Sequence, residues 1–223
     1  MRRTFRWLAL IFVFILPILA CSTISPSQNG SQATSPPQTQ NTVLFQDDFS
    51  DSSSGWDQIR ESQGVTDYEN GQYRIQVLTE NTDVWANPGL NFTDVRVEAD
   101  ATKSGGPDDN DFGVICRYQD TNNFYFFIIS SDGYGGIGKV KDGEQILIGH
   151  TDMPPSDAIN QGAATNHIRA DCVGSTLTLY ANGTQIDQQT DTDFSTGDVG
   201  LLAGTYTQTG TDILFDNFVV MKP

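Results

Sequence analysis

The stretch Leu177-Thr-Leu-Tyr-Ala-Asn-Gly183-Thr-Gln-Ile186 carries the signal that decides the fold. Leucines at 177 and 179 alternate with polar or amphipathic side chains, which is the period of a strand with one buried face. Asn182-Gly183 is the dipeptide that a two-residue hairpin turn prefers, because both of its positions need a positive φ. The stretch therefore predicts two antiparallel strands joined by a tight turn.

The same two-residue period recurs along the chain on both sides of this hairpin. Apolar and polar residues alternate over 73–77, 95–101 and 168–172, and helical spacing is not sustained in any segment. Asp142-Gly143 predicts a second hairpin, and further glycine-containing turns separate the other runs. Many short strands at regular intervals are typical of a two-layer sandwich. We therefore predict one all-β domain, a two-sheet antiparallel sandwich, over residues 43–223.

One run departs from the alternation. Asn123-Phe-Tyr-Phe-Phe-Ile-Ile129 is apolar on both phases. Such a strand is either a central strand covered on both faces or a strand whose second face opens on a hydrophobic groove. The sequence leaves both interpretations open.

The first 20 residues are typical of an export signal. Three arginines precede an apolar run that ends at Ala20, and Cys21 follows directly. The run is shorter than the roughly 20 residues of a permanent bilayer span and contains Pro17. Ile18-Leu19-Ala20-Cys21 resembles the bacterial lipobox, in which the thiol is acylated and the chain is cut before the cysteine. The alternative is an ordinary signal peptide that is cut nearby.

Residues 21–42 are predicted to be a flexible tether between the lipidated Cys21 and the domain, since they are rich in Ser, Thr, Pro and Gln and carry no charge. The formal net charge of the chain is −16, and loss of the three signal-peptide arginines would bring it near −19. Such a surface repels phosphate backbones and anionic headgroups, so we expect no nucleic-acid partner. The predicted contact with a membrane is the lipid on Cys21, with the domain held extracytoplasmically.

Two cysteines remain if Cys21 carries the lipid. Cys116 alternates in phase with Phe112 and Val114, and Cys172 occupies the apolar phase of its own segment, so both thiols are predicted to point inward. Pairing is the usual fate of two cysteines in an oxidising compartment, and we predict a Cys116–Cys172 disulfide. The alternative is two buried free thiols. The same alternation places Tyr118 on the inward phase.

The order of several motifs resembles that of a known superfamily. They are Phe45-Gln-Asp-Asp-Phe, Gly55-Trp56, Asp111-Phe-Gly-Val-Ile-Cys, Leu177-Thr-Leu-Tyr-Ala-Asn-Gly and Phe215-Asp-Asn-Phe. In this order they resemble the concanavalin A-like lectin/glucanase superfamily, in particular LamG-like and 3-keto-disaccharide hydrolase-type domains of bacterial lipoproteins. The resemblance implies a jelly roll of two curved sheets that holds ligands on its concave face or rim loops. It leaves the activity open, because one fold hosts many functions.

The catalytic motif of the retaining glucanases in that superfamily is incomplete here. Glu98-Ala-Asp100 begins the motif, but Thr102 and Lys103 stand where the second glutamate belongs. The two carboxyl groups are therefore interpreted as part of a solvated strand face. His150 and His167 are too few and too far apart in sequence for a zinc cluster, and no Gly-x-Ser-x-Gly elbow occurs. No catalytic residue is assigned, and the sequence favours a protein that is not an enzyme.

A structural calcium ion is a further prediction. Jelly rolls often tie their terminal strands with Ca²⁺, which prefers hard oxygen ligands. Asp47 or Asp48 near the first strand and Asp216 in the last would converge if the two ends of the domain are adjacent. The alternative is that the N-terminal pair of aspartates caps a turn.

Sugar binding needs aromatic faces beside planar hydrogen-bonding groups. Trp85, Arg117, Tyr125 and Tyr134 are of the right type and are predicted to line a ligand surface. We therefore predict a noncatalytic surface module for carbohydrate. The alternatives are a glycoside-cleaving enzyme of the 3-keto-disaccharide hydrolase type and a protein-binding adhesion or spacer domain.

Overall fold

The computed structural model describes residues 42–223. The predicted signal peptide, Cys21 and residues 22–41 of the predicted tether lie outside the described residues. No helix within residues 42–223 is long and apolar enough to cross a bilayer. The strands are β1 Val43–Asp47, β2 Ile59–Arg60, β3 Gly64–Glu69, β4 Gln72–Val77, β5 Thr82–Ala86, β6 Val95–Gly105, β7 Asn110–Asp120, β8 Asn123–Ile129, β9 Gly135–Lys141, β10 Glu144–Leu147, β11 Thr165–Val173, β12 Thr176–Ala181, β13 Thr184–Thr190, β14 Asp198–Thr205 and β15 Asp212–Met221.

The strands form two sheets in which every pairing is antiparallel. Sheet A has nine strands, in the order β13-β12-β11-β6-β15-β4-β3-β2, with β1 also paired to β15. Sheet B has six strands, in the order β10-β9-β8-β7-β14-β5. This architecture confirms the predicted all-β, two-sheet antiparallel sandwich.

The hydrophobic core lies between the two sheets, where alternate side chains of each strand meet. On sheet A, β6 buries Val95, Val97 and Ala99 and exposes the residues between them more. On sheet B, β7 directs Phe112 and Val114 into the same cluster. The two-residue period of the sequence is thus the period of burial.

The two hairpins expected from Asn-Gly and Asp-Gly dipeptides are present. Asn182 and Gly183 connect β12 to β13 with φ values of 50° and 82°, and Asp142 and Gly143 connect β9 to β10 with 53° and 83°. Positive φ at both central positions is the geometry of a type I′ turn, whose twist matches that of the flanking strands. The turn residues therefore fix the register of both hairpins.

A disulfide joins Cys116 on β7 to Cys172 on β11, with the Cα atoms 6.9 Å apart. It confirms the predicted pairing of two inward-pointing cysteines. Because β7 belongs to sheet B and β11 to sheet A, the bond crosses the core and links the two sheets covalently. Structural disulfides are typical of proteins that function outside the cytoplasm.

Breaking this bond should destabilise the domain substantially. The cysteines are 56 residues apart in sequence, and a cross-link over a loop of that length restricts the unfolded chain by about 4 kcal/mol. We expect urea unfolding of the reduced wild type, and of the Cys116→Ala/Cys172→Ala variant, to occur at a clearly lower denaturant concentration than that of the oxidised wild type. Equal midpoints for oxidised and reduced wild type would contradict a stabilising cross-link.

Candidate functional site

The outer face of sheet B carries a second apolar cluster, separate from the main core. The outward side chains of β8, Phe124, Phe126 and Ile128, are at most 2% exposed. Trp85 and Tyr118 are among the partly buried side chains packed against this cluster. Of the two interpretations left open for 123–129, the structure therefore favours a central strand covered on both faces.

Tyr118 lies in this outer cluster, so the inward position expected from alternation with Cys116 is wrong. The register of β7 against β8 shifts between Cys116 and Asp120, and Arg117 has a φ of 53°. Such a bulge adds a residue to one strand and moves the following side chain to the opposite face. Tyr118 consequently packs on Phe124 with a ring separation of 5.4 Å.

Arg117 does not belong to an open ligand surface, contrary to the prediction. Its side chain is 2% exposed and donates hydrogen bonds to the carbonyl oxygens of Phe194 at 2.9 Å and Thr93 at 3.3 Å. Its guanidinium also contacts Asp94 at 3.2 Å. These bonds link β7 to neighbouring loops. They also provide partners for the guanidinium of Arg117, which the bulge directs into the protein interior.

Tyr125 is likewise buried, because it lies on the inward phase of β8 in the main core. Its hydroxyl donates to the Asp191 carboxylate at 2.6 Å and accepts from the Phe194 N–H at 3.1 Å. Phe194 also packs against its ring, with centroids 4.9 Å apart. The expectation that Tyr125 contacts a ligand is therefore wrong, and its polar group has a structural role.

Trp85 is one of two predicted ligand residues that lie in an open site. It is half-buried on the outer face of β5, packs on Phe124 at 5.4 Å between ring centroids, and lines a groove of about 270 Å³. Tyr118 lines the same groove, as do the polar side chains of Gln63 and Asn87. We call this cavity the Trp85 groove; it presents aromatic surface beside polar groups.

Next to the groove, two carboxyl groups face each other across a glycine. In the pairing of three neighbouring strands, Gly204 on β14 lies opposite Asp83 on β5 and opposite Asp111 on β7. A Cβ atom on Gly204 would overlap an oxygen of each aspartate, so both carboxyl groups lean over the glycine towards one point. Sequence reasoning missed this pair because the three residues are far apart in the chain.

The surroundings of Asp83 and Asp111 raise the pKa values of both carboxyl groups. Burial raises the pKa of the Asp83 carboxyl to about 6. Burial also raises the pKa of Asp111 well above its usual range, with a further contribution from the charge of Asp83. The pKa of the Tyr206 hydroxyl is raised by burial and by Asp111. Asp109 adds a like charge near Asp111. Two carboxyl groups this close raise each other's pKa, so they titrate as a coupled pair.

A small cavity of about 230 Å³ opens above this pair, lined also by Gln145 and Tyr206; we call it the carboxyl cavity. Asp83 lines both the Trp85 groove and the carboxyl cavity. Tyr206 lines the carboxyl cavity and a third cavity of about 730 Å³. Shared lining residues therefore place the three cavities next to one another on one side of the sandwich; we call them the cavity row.

Tyr134, another predicted ligand residue, is 41% exposed and lines the third cavity, which we call the Tyr134 cavity. Trp85 and Tyr134 thus line the two end cavities of one row, whereas Arg117 and Tyr125 are buried away from it. The four side chains do not form the single surface predicted from sequence. Two of them remain available to a ligand.

The terminal aspartates lie on or beside two paired strands, and Asp48 and Asp216 already have local hydrogen-bond partners. β1 pairs with β15, and Asp47 lies opposite Phe218. The Asp48 carboxylate accepts hydrogen bonds from the N–H and hydroxyl of Ser50, and Asp216 accepts one from the Asn217 N–H. Within residues 42–223, no three or more acidic, histidine or cysteine residues are grouped to hold a metal. The structural Ca²⁺ at Asp48 and Asp216 stays a prediction.

Glu98 and Asp100 lie on the outer face of sheet A, on the opposite side of the sandwich from the cavity row. His167 contacts Asp100 at 2.8 Å and Glu98 at 3.5 Å, and these acids raise the pKa of its imidazole to about 9. Glu98 also lies 3.9 Å from Arg96. These ion pairs agree with the interpretation of Glu98 and Asp100 as a solvated strand face.

Solved structures with a similar fold include a carbohydrate-binding module and a protein with a galectin-like fold. A carbohydrate-binding module, CBM66, from Bacillus subtilis superposes with a TM-score of 0.60 and 17% identity, covering 75% of this chain and 96% of the module. A Bacillus subtilis protein of unknown function with a galectin-like fold gives 0.59 and 10%, covering 81% and 96%. At these identities the similarity concerns the fold alone.

A third similar structure is an enzyme, the GlcNAcα1-4Gal-releasing endo-β-galactosidase from Clostridium perfringens. It gives a TM-score of 0.58 at 8% identity, covering 85% of this chain and 65% of the enzyme. No protein-family model matches the chain, and no curated protein matches it. These similarities concern the two-sheet sandwich fold, which is the architecture that the resemblance of the sequence motifs implied.

The carboxyl pair should make stability fall with rising pH. Because its folded pKa values are raised, the native state keeps protons that the unfolded chain loses above about pH 4. This contribution to stability is fully present below about pH 4 and is lost progressively as the pH rises from there through the raised pKa values of the folded state. We expect Asp83→Asn/Asp111→Asn to be more stable than wild type at pH 7 by on the order of 2 kcal/mol, with little gain at pH 4.

Differential scanning calorimetry between pH 4 and pH 8 measures this difference. Asp157→Asn is the matched control, because Asp157 is exposed and lies outside the cavity row. It should keep the wild-type pH profile. A wild type and double variant with parallel profiles would show that the two carboxyl groups are not coupled to folding.

Proposed function

We propose that this protein is a noncatalytic glycan-binding module, displayed outside the cytoplasm by a lipid anchor on Cys21. The observation that carries the proposal is the Trp85 groove, an open aromatic site on the outer face of a sandwich similar to a carbohydrate-binding module. Saccharides bind to aromatic faces flanked by planar hydrogen-bonding groups. The groove supplies both kinds of contact.

The aromatic surface of the groove is held rigidly. Phe124 is 1% exposed and supports the rings of both Trp85 and Tyr118, each at 5.4 Å between centroids. A ring that is fixed before the ligand arrives loses little conformational entropy on binding. Gln63 and Glu61 at the exposed rim of the groove supply polar groups for ligand hydroxyls.

The arrangement of carboxyl groups favours binding over glycoside cleavage. Cleavage by two carboxyl groups requires them to flank the scissile bond, one as acid and one as nucleophile or base. Asp83 and Asp111 instead converge over Gly204, and Asp111 is only 2% exposed. Glu98 and Asp100 are engaged with His167 on the other sheet. These features support a site that holds a saccharide without reacting with it.

Replacing Trp85 tests the proposed site. We expect Trp85→Ala to weaken binding of any glycan that the wild type recognises by at least about tenfold, because the stacking surface is lost. Trp85→Phe should retain a substantial part of the affinity. A glycan array would select the ligand, and isothermal titration would measure the dissociation constants.

Tyr180→Ala is the matched control. Tyr180 lies on the outer face of sheet A beneath the guanidinium of Arg169, 4.2 Å from the ring centroid, and away from the cavity row. This variant should bind like wild type. Absence of binding to every glycan tested, or equal losses in the Trp85→Ala and Tyr180→Ala variants, would refute the proposed site.

The anchor is supported by the sequence and by the disulfide. A signal-like segment ends at Cys21 within a lipobox-like motif, and the disulfide between the remaining two cysteines is typical of an exported protein. The acidic domain gains nothing from direct contact with anionic headgroups, so the lipid and the tether would hold it at the membrane without such contact.

Lipidation is testable in a bacterial host expressing the full chain. We expect radiolabelled palmitate to be incorporated into the wild type and the protein to sediment with membranes. Cys21→Ala should lose both properties, because the acylated thiol is absent, whereas Ser22→Ala should keep them. An unlabelled wild type that remains soluble would refute the anchor and leave the glycan site to be judged separately.

A further inference from the structure

Acidic side chains line the two ends of the cavity row. Asp57 and Glu61 line the Trp85 groove, and Asp109, Asp132 and Asp152 line the Tyr134 cavity. No lysine, arginine or histidine lines any of the three cavities within the described part of the chain. A cleft lined by one sign of charge concentrates ligands of the opposite sign.

The basic residues of the domain are engaged elsewhere. Eight of the nine lysines and arginines among residues 42–223 form ion pairs, and none of their partners is a carboxyl group of the cavity row. Lys139, for example, pairs with Asp191, and Lys103 pairs with Asp108. The negative charge of the row is therefore not balanced by a lysine or arginine within the described chain.

The centre of the row contains a buried acceptor with no partner. Asp111 lines the carboxyl cavity, and its Oδ1 atom is buried and has no hydrogen-bond partner in the structure. A buried polar atom without a hydrogen-bond partner destabilises the folded protein. A ligand that donates a hydrogen bond to this atom would therefore gain binding free energy. The Asp83 carboxyl approaches the same point over Gly204. A ligand group that donates several hydrogen bonds and carries positive charge matches this pair.

We propose that the cavity row binds a glycan of amino sugars with free ammonium groups, with one ammonium held by Asp83 and Asp111. This inference rests on the proposed glycan-binding function and adds the class of ligand. An ammonium group has three donors and no acceptor, which suits carboxyl oxygens and the Gln145 amide oxygen. Trp85 and Tyr118 in the adjoining groove attract cations through their ring faces. A linear polymer would place further ammonium groups near the acids at both ends.

A divalent cation matches the carboxyl cavity less well. Ca²⁺ takes six to eight oxygen ligands and usually several carboxylates. The cavity offers the carboxyl groups of Asp83 and Asp111 only, and residues 42–223 contain no larger group of metal-ligating side chains. A single positive charge with directional donors is therefore the better complement of the pair.

The test compares three β-1,4-linked pentasaccharides by isothermal titration of the full chain. They are the pentamers of glucosamine, N-acetylglucosamine and glucose. These share length and linkage and differ only in the substituent on C2, which is an amino, an acetamido or a hydroxyl group. We expect the glucosamine pentamer to bind at least about tenfold more tightly than either neutral pentamer. Its affinity should fall as NaCl is raised from about 50 to about 300 mM, because salt screens the attraction.

Variants assign the effect to the carboxyl pair. Asp83→Asn/Asp111→Asn should reduce the affinity for the glucosamine pentamer to that for the neutral pentamers, since the isosteric amides carry no charge. Asp157→Asn, an exposed carboxyl outside the row, should leave it unchanged. Melting curves of the three proteins establish that each is folded before titration.

The outcomes separate this inference from the proposed function. Binding to a neutral pentamer as tight as to the glucosamine pentamer, with loss on Trp85→Ala, would overturn the cationic ligand and keep the glycan module. Binding that requires added Ca²⁺ would also overturn it in favour of a metal bridge. No binding to any pentamer or arrayed glycan would overturn both. Preference for the glucosamine pentamer that survives Asp83→Asn/Asp111→Asn would refute the assigned residues.

Discussion

The inner faces of the two sheets are buried against each other, and the rest of the structure depends on that packing. Alternate side chains of β6 and β11 on sheet A meet those of β7 and β8 on sheet B, in one continuous apolar cluster. The disulfide between Cys116 and Cys172 crosses this layer and also restricts the conformations that the unfolded chain can adopt. With the inner face fixed in this way, the outward side chains of sheet B acquire fixed positions.

The outward positions of sheet B bring two carboxyl groups with raised pKa values close together. The row formed by Asp83, Gly204 and Asp111 across three strands places two carboxyl groups over a residue without a side chain. Burial of unpaired acids is unfavourable, and the protein tolerates it here by raising their pKa values. Strain of this kind is commonly retained at sites that bind or react, which is why the pair supports a ligand site.

Sequence reasoning succeeded where local chemistry decides the outcome. Type I′ turns at Asn182-Gly183 and Asp142-Gly143 follow from two residues that tolerate positive φ, and strand faces follow from alternation. It failed at the bulge beside Arg117, because one extra residue reverses which face the next side chain occupies. That single shift moved Tyr118 to the outer aromatic cluster and Arg117 into the interior.

The sequence by itself determined the all-β class, the antiparallel hairpins, the inward phase of both cysteines and the aromatic character of Trp85. Each of these depends on residues that are close together in the chain or on a simple period of burial. Only the tertiary structure decided that Asp83 and Asp111 meet over Gly204, since strands β5, β7 and β14 are separated by long stretches of chain. Strand order is set by the packing of whole sheets, and no local pattern encodes which distant residues become neighbours.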